Sequence, residues 1–172
     1  MVENQELPLT KVTRITPLAS NGTSSDVFSV DLRLKGNLKD YVWKEVREDS
    51  WLLDVYEGRN LEQKAAQMQR VYKLYKRYLG DHLAMTHFIV AKNKRNIPTI
   101  VAIQKKVVGR PFALNEKTQS KSKEIVRIFG QIRCDPEFQA LPEKVRRSAY
   151  DCGVGDENLI INENDDLVIV DW

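Results

Sequence analysis

Asn158 and Asp171 bracket two short apolar runs, Leu159 to Ile161 and Leu167 to Val170, with the polar stretch Asn162 to Asp166 between them. Asn and Asp are turn formers, and apolar runs of this length on either side of a turn predict a tight β-hairpin. Antiparallel pairing brings Asn158, just before the first strand, and Asp171, just after the second, to the same end of the ribbon. An amide oxygen beside a carboxylate suits a hard cation such as Mg²⁺, which takes one or two protein ligands and completes its octahedron with water and phosphate. The chemistry to look for is the handling of a magnesium-bound phosphate.

Such a pair needs elements to hold it and a second surface to face it. Val12 to Ile15 and Asp26 to Leu34 alternate or cluster apolar residues as strands do. Between them, Leu18 to Val27 is rich in small turn-forming residues, which let backbone N–H groups approach a polyphosphate closely. Tyr41 to Val46 reads as a third strand carrying a single lysine, Lys44. Ser50 to Glu57 and Leu61 to Leu79 read as helices; in the second, Leu61, Ala65, Met68, Tyr72, Tyr75 and Leu79 recur at helical spacing and predict core contacts. Met85 to Val90 and Thr99 to Ile103 add two strands joined by the polar turn Ala91 to Pro98. Helices are expected at Asn115 to Phe129 and at Pro142 to Tyr150, with Pro142 in the first turn. His82 and His87 lie far from the hairpin in sequence and are expected to be structural or surface residues.

Composition narrows the class. A chain of 172 residues suits one domain or two small lobes around a shared cleft. No apolar run approaches the ~20 residues that span a bilayer. Met1 to Leu9 is polar and acidic, unlike a signal peptide. Cys134 and Cys152 are too few for a disulfide framework or a zinc site, and a cytoplasmic protein with no membrane partner is expected. The net charge of +3 is mild. Its basic clusters, Lys73 to Arg77, Lys92 to Arg95, Lys117 to Lys123 and Lys144 to Arg147, are interrupted by acidic and polar groups, so they read as solvated faces and nucleic acid is not the expected partner.

The string Glu157-Asn-Leu-Ile-Ile, a turn, and Leu-Val-Ile-Val-Asp171-Trp172 resembles the catalytic-loop and metal-binding hairpin of the protein-kinase-like superfamily. The Asp-Trp ending is closer to aminoglycoside phosphotransferases and related small-molecule kinases than to the Asp-Phe-Gly of most protein kinases. The resemblance implies an α+β, two-lobed fold. Residues 1–103 would form a nucleotide-binding lobe with a five-stranded antiparallel sheet and one main helix. Residues 104–112 would form a hinge, and residues 113–172 a reduced helical lobe with a β-hairpin. It further implies ATP and Mg²⁺ as cofactors, with Asn158 and Asp171 holding the metal.

Set on the same pattern, Gly22, Ser25 and Val27 fall in the glycine-rich lid, with Ser20 at a position that the family gives to glycine. Lys44 resembles the strand lysine that contacts the α- and β-phosphates. Its glutamate partner is Glu62, with Glu57 as the alternative. The stretch Ile103 to Phe112 resembles the hinge, where backbone groups of roughly Gln104 to Lys106 would bind the adenine. Five residues before Asn158, where the family places the aspartate that orients the acceptor hydroxyl, stands Gly153. Asp151 is preferred for that role and Asp156 is the other candidate. The sequence also ends at Trp172, without the later helices of larger kinases, as a minimal kinase or a fragment would. The expected activity is transfer of the γ-phosphoryl group to a hydroxyl of a protein or small molecule. The alternative is an inactive pseudokinase that serves as a binding or regulatory module.

Overall fold

The computed structural model describes residues 12–19, 25–34, 37–93, 95–113, 116–153 and 158–170. Gly22, Asp156 and Asp171 lie outside them, as does the loop at 20–24. Five strands make one antiparallel sheet: β1 (Val12–Ala19), β2 (Ser25–Leu34), β3 (Asn37–Val46), β4 (Thr86–Lys92) and β5 (Pro98–Lys105), in the order β1-β2-β3-β5-β4. A single helical turn, α1 (Leu52–Val55), and the long helix α2 (Leu61–Leu79) are inserted between β3 and β4. The expected helix at Ser50 to Glu57 is thus shortened. Only Leu52–Val55 is helical, with Ser50 Oγ accepting the Leu52 N–H at 3.3 Å.

α2 has the bounds that its periodicity predicts, because both ends are chemically marked. Asn60 caps the start, its side-chain oxygen accepting the Gln63 N–H at 2.9 Å. Gln63 reaches back to the Arg59 N–H at 2.8 Å, one residue before the cap, in a variant of the reciprocal capping box. Gly80, with a φ of 52° and a ψ of −124° that only glycine adopts readily, ends the helix. The Lys76 ammonium folds over that end onto the carbonyls of Gly80 and Leu83 at 2.7 and 2.6 Å, and burial pulls its pKa below the usual lysine value.

The remainder is built on α3 (Glu116–Arg133), α4 (Pro136–Gln139), α5 (Glu143–Gly153) and three short strands. These strands are β6 (Gly109–Pro111), β7 (Leu159–Asn162) and β8 (Leu167–Ile169), and they form a second antiparallel sheet. Three expectations are corrected here. The segment read as a hinge exit, Gly109 to Phe112, contributes β6 and turns the expected hairpin into a three-stranded sheet. α3 runs on to Arg133, since Ile132 continues the buried stripe of Ile125, Ile128 and Phe129. α5 passes the expected end at Tyr150 and includes Asp151 in its last turn.

One apolar cluster joins the parts. Met68, Val71, Leu74 and Tyr75 of α2 meet Ile100 of β5, Ile125 and Phe129 of α3, and Leu159, Ile161, Leu167 and Ile169 of the second sheet. Removing this much apolar surface from water is the main favourable contribution to folding. The other face of the large sheet carries a smaller cluster of Tyr41, Trp43, Val101 and Ile103.

Two hairpins close with the same device. In the β4–β5 turn, Asn93 Oδ1 accepts the N–H groups of Arg95 and Ile97, and Asn96 has a φ of 62°. In the β7–β8 turn, Asn162 Oδ1 accepts the N–H groups of Asn164 and Asp166, and Asp165 has a φ of 63°. Asn and Asp are the non-glycine residues that best tolerate that conformation.

β4 is an edge strand, and α2 covers its outward N–H groups. Tyr72 Oη accepts the Thr86 N–H at 3.1 Å and donates to the Ala84 carbonyl at 3.2 Å, while Gln69 Oε1 accepts the Phe88 N–H at 2.8 Å. Such cover keeps an open edge from pairing with other chains. Tyr72→Phe leaves the ring in place and strips the buried Thr86 N–H of its acceptor, while the Ala84 carbonyl keeps the Thr86 hydroxyl at 3.0 Å. It is expected to lower stability by about 1–3 kcal/mol in urea unfolding, with an unchanged slope.

Candidate nucleotide site at the base of the hairpin

β3 is a central strand, and its alternation puts Lys44 on the same face as Val46, which packs in the main core below α2. Trp43 and Glu45 point the other way. Glu45 is buried there, and its carboxylate accepts the Trp43 indole N–H at 3.1 Å. The strand thus fixes the stem of Lys44, which is partly buried. Its ammonium donates to the Val170 carbonyl at 2.6 Å, across 126 residues of sequence. A charge-assisted bond of that length holds both partners firmly.

Val170 in turn donates its N–H to the Asn158 carbonyl at 2.8 Å, which closes the base of the hairpin. Lys44, Asn158 and the residue preceding Asp171 are therefore brought together. Asp171 itself is not among the described residues. The lid at 20–24 also lies outside them, but its flanks are placed: Val27 is in register with Ala19 on one side and with Lys44 on the other, and Ser25 with Val46. The loop expected to cover phosphates thus springs from the strands beside Lys44.

The second hairpin strand is docked from the opposite side by the segment after α2. Ala84 donates its N–H to the Ile169 carbonyl at 3.0 Å, and Leu83 forms a parallel bridge with Ile169. His82 Nδ1 donates to the Leu167 carbonyl at 2.8 Å, which fixes its tautomer and makes it a structural residue. At the far end, Asp165 pairs with Lys121 at 2.8 Å and with Arg110 at 3.5 Å, and the Lys121 ammonium holds its carboxyl below the usual range. Sequence reasoning did not find these contacts, since each joins residues far apart in the chain.

Gln104 lies within β5, in register with Val42 of β3 and Thr86 of β4, and its buried side-chain amide donates to Thr86 Oγ1 at 3.0 Å. The Lys105 N–H is taken by the Met85 carbonyl at 2.8 Å. Of the stretch expected to meet adenine, Lys106 is the first residue beyond the strand, and it is exposed.

Glu62 is not brought to Lys44. It sits in the exposed first turn of α2, and among the described residues no ion pair joins the two. The cap at Asn60 sets the helix phase so that Leu61, rather than Glu62, packs on the core. Glu57 is exposed as well, its backbone N–H donating to Gln67 Oε1 at 2.7 Å. Asp151 is in the last turn of α5 rather than in an extended loop, so the structure gives it no described place beside Asn158.

Among the described residues no cluster of three or more His, Cys, Asp or Glu side chains forms a metal site. Asn158 is partly buried at the strand start, and an amide is a donor type that fits a cation carried in largely by phosphate and water. No described helix is long and apolar enough to cross a membrane.

Neither a protein-family model nor a curated protein matches the chain. Among solved structures, the kinase PK-1 of Cydia pomonella granulovirus is similar at 15% sequence identity and a TM-score of 0.45, over 92% of this chain and 49% of that one. The chain therefore spans about half the length of that kinase.

Proposed function

We propose that the protein binds ATP with Mg²⁺ between the five-stranded sheet and the hairpin, and transfers the γ-phosphoryl group to a hydroxyl of a protein or small molecule. The observation that carries this reading is the 2.6 Å bond from Lys44 to the carbonyl of Val170, which sets a strand lysine against the base of the hairpin beside Asn158, one residue before Asp171 in the sequence. Residues 1–103 and 113–172 would then be the two walls of the cleft, with 104–112 between them. In this reading Lys44 holds phosphate oxygens, Asn158 and Asp171 hold the metal, and the loop containing Gly22, flanked by Ser25 and Val27, covers the phosphates. Magnesium, when bound, neutralises charge that develops on the transferring phosphoryl group. The Gln104 and Lys106 end of β5 would meet the base, and Asp151 would orient the acceptor. A cytoplasmic location belongs to the same reading.

A second reading, an inactive module that uses the same cleft to bind a regulator, draws on Glu62, which does not reach Lys44, and on Gly153 in place of an acceptor-orienting aspartate. The two separate in one experiment. Mg²⁺-dependent thermal stabilisation by ATP is expected for the wild type, worth about 2.7 kcal/mol at a hundred times Kd. Asp171→Ala is expected to abolish the magnesium dependence. An Asp171→Ala protein that binds and hydrolyses nucleotide as well as the wild type would contradict the assignment. A wild type that neither shifts nor turns over would favour the binding module.

A further inference from the structure

Along one flank of α2, Ala66, Gln69, Arg70, Lys73 and Arg77, with the core residue Leu74 between them, line a groove of about 550 Å³, whose other wall is Glu137 of α4. Arg70, Lys73 and Arg77 follow one another at helical spacing. With a rise of ~1.5 Å per residue, the first and last are separated by roughly 10 Å along the axis, the reach of about three extended residues. A network of ion pairs and a hydrogen bond joins the two walls. Glu137 accepts from Arg70 at 3.3 Å and from Arg77 at 2.8 Å, and Asp135 accepts from Tyr78 Oη while capping α4.

The two arginines therefore have a carboxylate between them, and each guanidinium has five N–H donors in all. Lys73, exposed between them, has no ion pair among the described residues. Its charge is felt locally: burial first, and then Lys73, hold the His87 imidazole below its ordinary pKa. Arg77 also lies 3.9 Å from the Asp135 carboxylate, so three cations face two carboxylates and Lys73 carries the unmatched charge. With Leu74 and Ala66 as an apolar floor, the groove complements a ligand that carries separated negative charges and small apolar groups.

We propose that this groove docks an extended acidic peptide, with carboxylates at alternate positions that engage Lys73 and one of the flanking arginines. Alternate residues of an extended strand are roughly 6.6 Å apart on the same side. That matches the spacing of successive turns on α2, which rise by ~5.4 Å. A nucleic-acid backbone fits less well, because its unbroken row of phosphates would run against Glu137.

The test is fluorescence anisotropy of the full chain, without nucleotide, using a labelled octapeptide of alternating glutamate and alanine at low and at physiological ionic strength. Lys73→Glu is expected to weaken binding at least tenfold, and Glu137→Gln to strengthen it severalfold. Lys123→Glu makes the same charge change on the exposed surface of α3 and is expected to leave affinity within twofold. Both lysines are exposed, so unchanged thermal midpoints will certify the fold of each variant. Absence of peptide binding, equal losses in Lys73→Glu and Lys123→Glu, or stronger binding of an oligothymidylate of equal charge would each overturn the proposal.

Discussion

Gly109→Val is expected to be the most destabilising single substitution in the second sheet. Gly109 lies on β6 opposite Asn162, and a Cβ there would stand 2.1 Å from the Ile161 carbonyl oxygen and 2.7 Å from Ile160 Cγ2. The carbonyl belongs to the backbone of a strand paired on both sides, so it cannot move aside as the end of a flexible side chain can. Either β6 leaves β7 or the hairpin shifts in the core, where Ile161 is 1% exposed. The expected loss is at or above the upper end of the roughly 1–3 kcal/mol usual for overpacking. Gly109→Ala is expected to lose nearly as much, because the clash is already complete at Cβ. Urea unfolding of both variants checks this. A loss below about 0.5 kcal/mol in either would show that β6 does not hold the close register described.

Lys44→Met has the largest expected effect on function. Methionine keeps the length and apolar stem of the lysine, so the packing against the core-side face of β3 is retained. It removes the ammonium that bridges to Val170, and with it the charge proposed to hold phosphate oxygens. Loss of one preorganised electrostatic contact commonly costs about 10²–10³ in turnover. The same factor is expected here in Mg²⁺-dependent phosphoryl transfer or ATP hydrolysis. Lys44→Arg is expected to recover little, since a planar fork replaces a compact point charge in a site fitted to the latter. Parallel measurements on Lys92→Met, an exposed lysine at the end of β4, are expected to show turnover within a fewfold of the wild type.

Where side chains carry a strong local pattern, the chain can be read directly. α2 begins and ends where the periodicity of Leu61, Ala65, Met68, Tyr72, Tyr75 and Leu79 says, because a cap and a glycine mark its ends. The five strands of the large sheet are likewise legible from their apolar runs, although most are longer than those runs. The β7–β8 hairpin follows from the turn chemistry of Asn162 and Asp165.

What the pattern misses is held by backbone or by distance. β6 consists of Gly109, Arg110 and Pro111, all exposed, so no alternation betrays a strand whose stability comes from pairing with β7. The end of α3 could have been found, since Ile132 follows Ile128 and Phe129 at helical spacing. Glu62 stands exposed in the first turn of α2 for a geometric reason. A position count from Lys44 does not fix helix phase, whereas the Asn60 cap does, and it turns Leu61 inward. The meeting of Lys44 with Val170 has no local signature at all; only the order of the elements suggested it.

The central claim is that Lys44 and the base of the hairpin form one nucleotide site. Calorimetric titration of ATP into the wild type and Lys44→Met, each with Mg²⁺ and with EDTA, tests it most directly. The account predicts a one-to-one, Mg²⁺-dependent binding isotherm for the wild type that is weakened at least tenfold in Lys44→Met, at a temperature where circular dichroism shows both proteins folded. Equal affinity in the two proteins, or binding in the wild type that is indifferent to magnesium, would contradict it.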